Sequence, residues 1–418
     1  MKYVVLVDPY KPARGLPPLF QEAGYQCVRV QSTPEVPLVY RGPLDLSDYV
    51  VNIVHDGDLE ATVRELSAYS PEAVLTGSEL GVELADALSE RLGLDTNGTA
   101  QSTARRDKFE MIEQVAARGL RTPRQVRVTD AAQIKAWHAG VGGRIVVKPL
   151  RSAAGDGVAF CDTVAESEAA YQAIAGRDNI FSLPNLGAVA QEYLVGEEYI
   201  VNTVSREGRH QVTDVWGSGR LALNGIRDLL VESELIDPAT RDYEPLVAYA
   251  REVLDALGIR FGAAHLEIKM TPGGPCLVEA AARISGGELP YYATEAIGES
   301  QLRWLVDCYV RPDRFDERYG EQYRIKHHFA WAALASPVGG TLNGYRDVDK
   351  IEALESFREM RIFVSPGELI KPTVDDLGYP LTVTLHHESE GVVKRDLNTI
   401  RYLDGYGFYD VEPTMRIG

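Results

Sequence analysis

Apolar and polar residues alternate in short blocks along the first hundred positions of the chain. Four blocks have the length and composition of β-strands and lie at residues 3–8, 25–30, 49–54 and 73–76. Two blocks carry apolar residues at helical spacing and lie at residues 59–67 and 80–92. Because strands that alternate with helices form parallel sheets with right-handed crossovers, this part is predicted to be a small open Rossmann-like sheet. The turn after its first strand lacks the glycine fingerprint of a dinucleotide site.

The rest of the chain mixes strands with helices. Helices are predicted at residues 103–118, 164–174, 242–257 and 300–309, and strands at residues 144–148, 158–161, 188–194 and 198–205. A hairpin is predicted over residues 262–281, residues 206–241 show no clear period, and residues 311–313 (RPD) are predicted to be a linker. The last hundred residues are expected to form a mixed sheet that packs on the preceding part. The chain is therefore predicted to have three domains, at residues 1–102, 103–310 and 311–418.

Length, charge and cysteine spacing narrow the class of protein. With 418 residues the chain is expected to contain several domains of roughly 100–200 residues each. The net charge of −18 argues against nucleic acid or an anionic membrane as the main partner, because both select basic faces. No apolar stretch approaches the roughly 20 residues of a membrane span, and no signal-peptide pattern is present, so a cytoplasmic protein is expected. The widely spaced cysteines Cys27, Cys161, Cys276 and Cys308 are expected to be reduced and buried.

A lysine at the end of an apolar strand precedes a loop of small residues. Residues 146–149 have the sequence VVKP, with Lys148 at the strand end, and residues 151–157 have the sequence RSAAGDG. Small residues let a backbone approach a ligand closely, successive N–H groups form an anion site, and the lysine adds a point charge. The pattern therefore indicates a phosphate site, with a solvated hairpin turn as the alternative.

Two further patterns are weaker when taken alone. Residues 191–199 have the sequence QEYLVGEEY, which predicts two strands that could offer backbone groups to a purine edge and Glu198 to a ribose. An ordinary hairpin with a charged rim is the alternative. Arg105, Arg106 and Lys108 gather cations at a helix amino terminus, against the macrodipole, and a bound anion would relieve the conflict. A solvated basic turn is the simpler explanation of that cluster.

The clearest chemical pattern lies in the hairpin of residues 262–281. Side chains alternate along a strand, so His265, Glu267 and Lys269 share one face. The returning strand carries Glu279. Symmetric pairing about the turn would place Glu267 opposite Glu279, with their Cβ atoms about 4.5–5.5 Å apart.

Two facing carboxylates repel each other unless a cation lies between them. A hard divalent ion such as magnesium, with a phosphate on its far side, resolves that repulsion. In one alternative, one carboxylate points outward and Arg283 makes a surface ion pair. In another, His265 and Glu267 with Cys276 form a zinc site, since this part of the chain is faintly similar to the zinc deaminase signature, although the second cysteine of that signature is missing.

In order along the chain, these features are a lysine-bearing helix, a strand-end lysine, a small-residue loop, a purine-type linker, two metal carboxylates and an arginine. The sequence resembles the ATP-grasp superfamily and, more narrowly, the L-amino acid ligases, which include the bacilysin-type dipeptide synthetases. The resemblance covers nearly the whole chain and is clearest at residues 77–85 (GSELGVELA) and 279–283 (EAAAR). It implies an ATP-grasp fold, α/β and α+β, with an N-terminal Rossmann-like open sheet and a C-terminal mixed α+β domain.

The same resemblance implies roles for individual residues. ATP would be bound by Lys108, Lys148, Ser152, Ala153, Gly155, Gly157, Gln191, Glu192, Tyr193, Leu194 and Glu198. Glu267 and Glu279 would ligate one or two Mg²⁺ ions, for which Mn²⁺ could substitute, and Lys148 and Arg283 would be catalytic. The small-molecule amino acid substrates would lie near Glu79, Leu150, Ser152, His265, Gly286 and Gly287. A homodimer is compatible with the resemblance.

One departure from the family pattern bears on the metal. Many ATP-grasp enzymes have Glu-x-Asn-x-Arg where this chain has Ala281, so one metal-binding oxygen is missing, although the amino acid ligase group tolerates alanine there. Gly287 would leave space for a substrate side chain. Because water would hydrolyse an activated intermediate, residues 152–157 and 217–224 are expected to be mobile covers.

The predicted function is ATP-dependent joining of two amino acids into a dipeptide through an acyl phosphate, with release of ADP and phosphate. A ligase that joins an amino acid to a non-amino-acid carboxylate, or that joins D-amino acids, is the main alternative. More distant alternatives are a zinc hydrolase or deaminase and a non-catalytic ATP-binding module. A P-loop NTPase is not indicated, because the chain contains no GxxxxGKS or GxxxxGKT string.

Overall fold

Four parallel strands form the first sheet of the protein, whose computed structural model describes residues 1–42 and 45–412. The strands are β1 (Lys2–Val7), β2 (Tyr25–Gln31), β3 (Tyr49–Val54) and β4 (Ala73–Thr76), in the spatial order β3-β2-β1-β4. The helices of this part are α1 (Leu16–Glu22), α2 (Leu59–Ser67) and α3 (Val82–Arg91). The predicted Rossmann-like open sheet is therefore confirmed.

A small antiparallel sheet follows, in the spatial order β5-β8-β6-β7. Its elements are α4 (Lys108–Ala117), β5 (Gln125–Val128), α5 (Ala131–Val141), β6 (Ile145–Pro149), β7 (Ala159–Cys161), α6 (Val164–Ile174) and β8 (Ala188–Glu192). Each helix begins after a side chain that accepts hydrogen bonds from the first turn, namely Asp107, Asp130 and Thr163. These caps fix where the residues of the first helical turns emerge.

The largest sheet has eight antiparallel strands in the order β13-β12-β9-β10-β11-β14-β18-β16. Its first part consists of β9 (Glu197–Arg206), β10 (Arg209–Leu223), β11 (Ile226–Leu235), α7 (Tyr243–Ala256), β12 (Gly262–Thr271) and β13 (Gly274–Ala281). The amphipathic helix α7 buries Leu246, Val253 and Leu254 against β12 and β13. The helices α8 (Leu289–Ile297) and α9 (Gln301–Val310) follow, and α9 packs between β9 and α1, which joins the large sheet to the first sheet.

The carboxy-terminal part continues the large sheet, because β14 pairs with β11. Its elements are α10 (Pro312–Arg318), β14 (His328–Leu334), β15 (Gly340–Tyr345), α11 (Val348–Glu352), β16 (Phe357–Ile362), β17 (Leu369–Ile370), β18 (Leu381–His387), α12 (Glu390–Leu403) and β19 (Tyr409–Glu412). A three-stranded sheet β17-β15-β19 lies beside it. Across residues 1–42 and 45–412, every helix is too short or too polar to cross a lipid bilayer.

Several predicted elements are wrong in detail. Residues 103–118 are not one helix, because a short 3-10 turn ends at Arg105 and Asp107 then caps α4. Residues 206–241 contain the long strands β10 and β11, whose glycines and irregular register hide their period. Residues 217–224, which were expected to be a mobile cover, are therefore mostly strand. Residues 311–313 do not form a linker, because α10 begins at a proline there, a residue suited to the first helical position.

Candidate active site

A deep pocket lies between the small sheet and strands β9 to β13 of the large sheet. It contains about 1290 Å³ of atom-free space, part of which is open to solvent. The residues named from the sequence that line it are Lys108, Lys148, Ser152, Ala153, Gly155, Gln191, Glu192, Tyr193, Leu194, Glu198, Glu267 and Glu279. Patterns from widely separated parts of the chain thus meet in one place.

Glu267 on β12 and Glu279 on β13 lie directly opposite each other, as the alternation of the hairpin predicts. The turn is tighter than symmetric pairing requires, because only two residues connect the strands. Val278 then forms a β-bulge that restores the register of the two carboxylates. The Val278 carbonyl accepts a hydrogen bond from Lys148 Nζ at 3.4 Å. The lysine and the two carboxylates therefore share one corner of the pocket.

The charged groups in this corner shift one another's pKa values. Burial, the largest effect, lowers the pKa of Lys148 to about 8, and the charge of Lys108 adds to it, while the facing carboxylates oppose it. Burial also raises the pKa of Glu267, but the hydrogen bond and charge of His265, with two further cations, outweigh it and lower the pKa to about 2. Glu267 is therefore ionised at neutral pH, and an anion in the pocket would raise the pKa of Lys148 again.

Lys108 connects the first turn of α4 with the rest of the pocket. Its Nζ donates to the Ser152 carbonyl at 2.7 Å and to Glu279 Oε1 at 2.9 Å. Asp107 accepts hydrogen bonds from two backbone N–H groups of the first turn, which fixes the point where Lys108 emerges. Lys108 thus ties the small-residue loop to the carboxylate pair.

The small-residue loop between β6 and β7 exposes its backbone to the pocket. Ala154, Gly155 and Gly157 have φ values of 55°, 73° and 71°, a left-handed conformation that suits a loop of successive N–H donors. Asp156 fastens the loop, because its Oδ2 accepts from Ser152 Oγ at 2.6 Å and from a neighbouring backbone N–H at 2.8 Å. A Cβ atom at Gly157 would lie 2.8 Å from a proline carbon of β6. Gly157 therefore shapes the loop rather than lining the pocket.

The connection from β8 to β9 forms the opposite end of the pocket. Glu192 holds Arg124 at 2.7 Å, so its carboxylate is engaged while its backbone borders the pocket. Glu198 is buried, forms an ion pair with Arg220 and lies 3.8 Å from Lys269 Nζ. Arg220 was not predicted as a pocket residue, since β10 has no recognisable period in the sequence. The sequence does carry a signal for Lys269 as a pocket residue, because Lys269 lies two residues after Glu267 and therefore on the same face of β12.

The carboxy-terminal part forms one wall of the pocket. This agrees with the expectation that the last hundred residues pack on the preceding part of the chain. Asp375 and Asp376 line it. Asp376 Oδ2 lies 3.7 Å from the position of a Cβ atom at Gly155, which places this carboxylate beside the small-residue loop. Tyr379 OH donates to Asp376 Oδ1 at 3.0 Å and holds it there. The sequence gives no pattern that links these residues to a loop more than two hundred positions earlier.

Arg283 lies outside this pocket, beside the first sheet. Its Nε donates to Glu79 Oε2 at 3.0 Å, and Arg106 pairs with the other oxygen of Glu79. Burial raises the pKa of Glu79, but the charges of Arg106 and Arg283 outweigh it and keep the pKa below its usual value. This cluster has one excess positive charge, which favours an anionic group nearby. Arg105 is different, because it is fully buried in an ion pair with Asp86 at 2.9 Å and supports the fold.

His265 packs beside the carboxylate pair. Its Nδ1 lies 2.9 Å from Asn202 Oδ1, and its Nε2 lies 3.5 Å from Glu267 Oε1. Cys276 pairs across the hairpin with Lys269 instead of His265, and burial raises the pKa of its thiol to about 11. Within the described part of the chain, no three His, Cys, Asp or Glu side chains are grouped as ligands of one metal ion. The zinc hydrolase alternative therefore gains no support from the geometry.

The remaining residues expected near the substrates lie after β6 and β13. Leu150 is buried, and its carbonyl accepts a hydrogen bond from the backbone N–H of Lys108 at 2.9 Å. A Cβ atom at Gly286 or Gly287 would meet no atom within 4 Å, so there is open space at both glycines. Gly287 has a φ of 62°, a conformation that strains other residues.

The donor atoms of the pocket fit a nucleotide with a divalent cation. Glu267 and Glu279 offer the hard oxygen ligands that magnesium prefers, whereas the buried Ala281 offers no polar side-chain atom. Two polar atoms of pocket residues, Arg220 Nε and Ser218 Oγ, are buried without a hydrogen-bond partner in the described part of the chain. A polar ligand would satisfy such atoms.

Comparison with known proteins agrees with this geometry. The family model of the ATP-grasp domain matches residues 141–290. Dapdiamide A synthase of Enterobacter agglomerans is 32% identical over 405 residues, which are 95% of this chain and 95% of that protein. An alanine–anticapsin ligase of Bacillus subtilis (strain 168) is 24% identical over 270 residues, which are 60% of this chain and 56% of that protein.

Solved structures share the fold over the whole chain. The crystal structure of an L-amino acid ligase from Bacillus licheniformis matches with a TM-score of 0.74 and 18% identity, covering 99% of both chains. That of N5-carboxyaminoimidazole ribonucleotide synthetase from Thermotoga maritima matches with a TM-score of 0.65 and 14% identity, covering 99% of this chain and 100% of the other. The chain therefore belongs to the ATP-grasp family, in the group of the amino acid ligases, and is an ATP-dependent ligase that forms carbon–nitrogen bonds.

Proposed function

We propose that this ligase joins two amino acids into a dipeptide through an acyl phosphate and releases ADP and phosphate. The observation that carries the proposal is the convergence of Glu267, Glu279, Lys108 and Lys148 in one pocket. Paired carboxylates beside two lysines suit a metal–triphosphate, because the cation neutralises the carboxylates and the lysines neutralise the phosphates. The names of these relatives, among them an alanine–anticapsin ligase, agree with amide-bond formation.

The reaction would proceed in two steps. A carboxylate oxygen of the first amino acid attacks the γ-phosphorus of ATP, the bond to the bridging oxygen breaks, and ADP leaves. The amine of the second amino acid then attacks the acyl carbon, phosphate departs with the electrons of the carbon–oxygen bond, and the amine releases a proton. Lys108 and Lys148 would stabilise the charge on the phosphoryl oxygens, and the small-residue loop would cover them.

Glu267 and Glu279 would hold one or two Mg²⁺ ions, with Mn²⁺ as a substitute. When bound, the metal supplies charge neutralisation and polarises the phosphoryl oxygens. His265 supports the site from this chain, because it contacts Glu267 and favours its ionised form. Gln191 to Leu194 would border the adenine, and Glu198 would accept hydrogen bonds from the ribose.

The substrate amino acids would lie between the nucleotide pocket and the first sheet. The excess positive charge at Arg106 and Arg283 would attract the carboxylate that is to be activated. Arg283 would then hold the acyl phosphate, and Glu79 would orient both arginines. The open space at Gly286 and Gly287 would accept one substrate side chain.

A second candidate is a ligase that joins an amino acid to a carboxylate that is not an amino acid. The name of dapdiamide A synthase, the relative at 32% identity, specifies no substrates, so the comparisons are compatible with this candidate as well. Both candidates use the same pocket and differ only in the first substrate.

Further proposals concern the whole chain. We propose a cytoplasmic protein that acts on small molecules without nucleic acid or membrane, a homodimer, and three domains at residues 1–102, 103–310 and 311–418. Light scattering tests the dimer, and limited proteolysis tests the domain boundaries.

The experiment that tests the function is incubation of the protein with Mg-ATP and pooled amino acids, followed by mass spectrometry of the products. A dipeptide and an equal amount of ADP are expected, and both should require an acid and an amine together. Glu279→Ala should form neither, whereas Glu60→Ala, at an exposed ion pair far from the pocket, should match wild type. ADP release that ignores the amine would exclude the ligase function and favour ATP hydrolysis alone.

A further inference from the structure

Arg220 is the cation around which the acidic groups of the nucleotide pocket are arranged. It lies near the end of β10, a long strand of the β10–β11 hairpin, and four-fifths of its side chain is buried. Its Nη2 pairs with Glu198, and its Nη1 donates to the Asp228 carbonyl at 2.8 Å. The charges of Glu267 and Asp376 also act on it. Arg220 is thus paired with the carboxylate proposed for the ribose and interacts electrostatically with one proposed for the metal.

The strand pairing aims Arg220 into the pocket. On β10, Ser218 and Arg220 face the pocket, and Gly219 faces away. Gly219 pairs with Glu232 of β11 and Arg220 pairs with Leu230, so Val231 is an extra, bulged residue. The bulge lets Leu230 face the pocket while Glu232 faces the opposite side.

Glycine is required at position 219 for this arrangement. A Cβ atom there would lie 2.6 Å from Glu232 Oε2 and 2.8 Å from Glu232 Cβ. The glycine therefore makes room for the Glu232 side chain, which the bulge has turned to this face. Gly219 does not stabilise β10 itself, because glycine weakens the interior of a strand.

An arginine of the carboxy-terminal helix α12 holds the bulge from behind. Arg401 Nη2 donates to the Val231 carbonyl at 2.6 Å, and its Nη1 donates to the Ala333 carbonyl at 2.8 Å. Its Nε pairs with Glu232. One side chain thus fixes the bulged carbonyl, the turned carboxylate and the neighbouring strand β14.

Arg220 has N–H groups that are available to a ligand. Its Nε is buried and makes no hydrogen bond within the described residues. A ribose would take up the oxygens of Glu198, which would release Nη2 as well. A nucleotide that places its ribose at Glu198 and its terminal phosphate at Glu267 must run its phosphate chain past this guanidinium.

We propose that Arg220 binds the phosphate chain of the nucleotide after leaving Glu198, and that Arg401 is the residue that positions it. This inference rests on the proposed function, because it takes the pocket to be the ATP site. The hairpin then covers the phosphates and contacts them through a charged side chain. A planar guanidinium suits such contacts because it offers two parallel donors to phosphate oxygens.

Calorimetric titration with adenosine, ADP and the non-hydrolysable β,γ-imido analogue of ATP, each with Mg²⁺, tests the proposal. For Arg220→Gln, the affinity for the ATP analogue should fall about tenfold to a hundredfold, as expected for a lost charge-assisted contact. Adenosine affinity should change by less than about threefold, because adenosine has no phosphate. Arg209→Gln removes the same charge from a surface pair at the other end of β10 and should leave all three affinities unchanged.

Equal losses for adenosine and the ATP analogue would overturn the proposal, because Arg220 would then only support Glu198. An unchanged affinity for the analogue would overturn it too. If Arg220→Gln does not fold, Arg220→Lys gives the same test, with a smaller loss confined to the phosphate-bearing ligands. A wild-type protein that binds none of the three ligands would instead reject the proposed function itself.

The positioning role of Arg401 is tested by non-additivity. Arg401→Gln should weaken binding of the ATP analogue in the wild-type background and not in the Arg220→Gln background, with adenosine affinity unchanged in both. A loss of the same factor in both backgrounds would show that Arg401 serves only the fold.

Discussion

Lys148→Met is predicted to stabilise the ligand-free protein while abolishing catalysis. Lys148 is only 5% exposed, and burial, as the largest effect, lowers its pKa from 10.5 to about 8. That shift corresponds to about 3 kcal/mol of destabilisation at neutral pH, because each pKa unit is worth about 1.4 kcal/mol. Methionine has a similar shape and no charge, so the substitution should remove most of this cost.

The stabilisation should depend on pH in one direction. Between about pH 8 and 10.5, the unfolded chain holds the Lys148 proton and the folded chain does not, so the wild-type protein gains stability as the pH rises. Lys148→Met lacks the titrating group. Its advantage of about 3 kcal/mol should therefore be complete below pH 8 and shrink toward zero near pH 10.5.

Urea unfolding at pH 7, 8 and 9, followed by tryptophan fluorescence, measures this difference. Lys135→Met is the control, because Lys135 is an exposed residue paired with Glu168, and its loss should change stability by no more than about 0.5 kcal/mol. A Lys148→Met protein that is less stable than wild type at pH 7, or an advantage that does not shrink with pH, would refute the reasoning. Wild-type ATP turnover by this variant would refute the role of Lys148 in binding phosphate.

Four other substitutions test separate parts of the site. Glu279→Ala and Arg283→Ala should each lower amine-dependent ADP release by about a hundredfold or more while the far-ultraviolet circular dichroism stays unchanged, and near-wild-type release by either would contradict its role. Gly287→Trp should shift substrate acceptance away from bulky side chains in a competition assay, and an unchanged profile would mean that no substrate group lies there. Glu79→Ala should lower the free energy of unfolding by about 3–5 kcal/mol, because it leaves the buried Arg106 and the largely buried Arg283 without their carboxylate, and a loss under 1 kcal/mol would show that the cluster is solvated.

The sequence predicts the acidic half of the site well because that half depends on local geometry. Alternation along one strand and a short return place Glu267 opposite Glu279, and the bulge at Val278 compensates for a turn that is tighter than expected. Lys148 likewise follows from its place at the end of an apolar strand. The break before α4 has a local signal in the sequence, because Asp107 is followed by Glu110 three residues later, a typical helix start.

The basic half of the site depends on contacts between distant parts of the chain. Arg283 pairs with Glu79, and nothing near either residue indicates that the first sheet supplies the partner. Arg220 faces the pocket on a strand interrupted by Gly217 and Gly219, opposite a bulge that reverses the alternation of its neighbour. Hydrophobic periodicity cannot identify such a strand, because the glycines interrupt the pattern of β10 and the bulge interrupts the alternation of its neighbour β11.

Transfer of ¹⁸O from a labelled substrate carboxylate tests the central claim most directly. The enzyme would be given Mg-ATP, an amine substrate and an amino acid whose carboxylate oxygens are both ¹⁸O, and the products would be analysed by mass spectrometry. Activation through an acyl phosphate at the Glu267–Glu279 site predicts one ¹⁸O atom in each released phosphate and one retained in the amide. Unlabelled phosphate, or label found in AMP, would contradict the account.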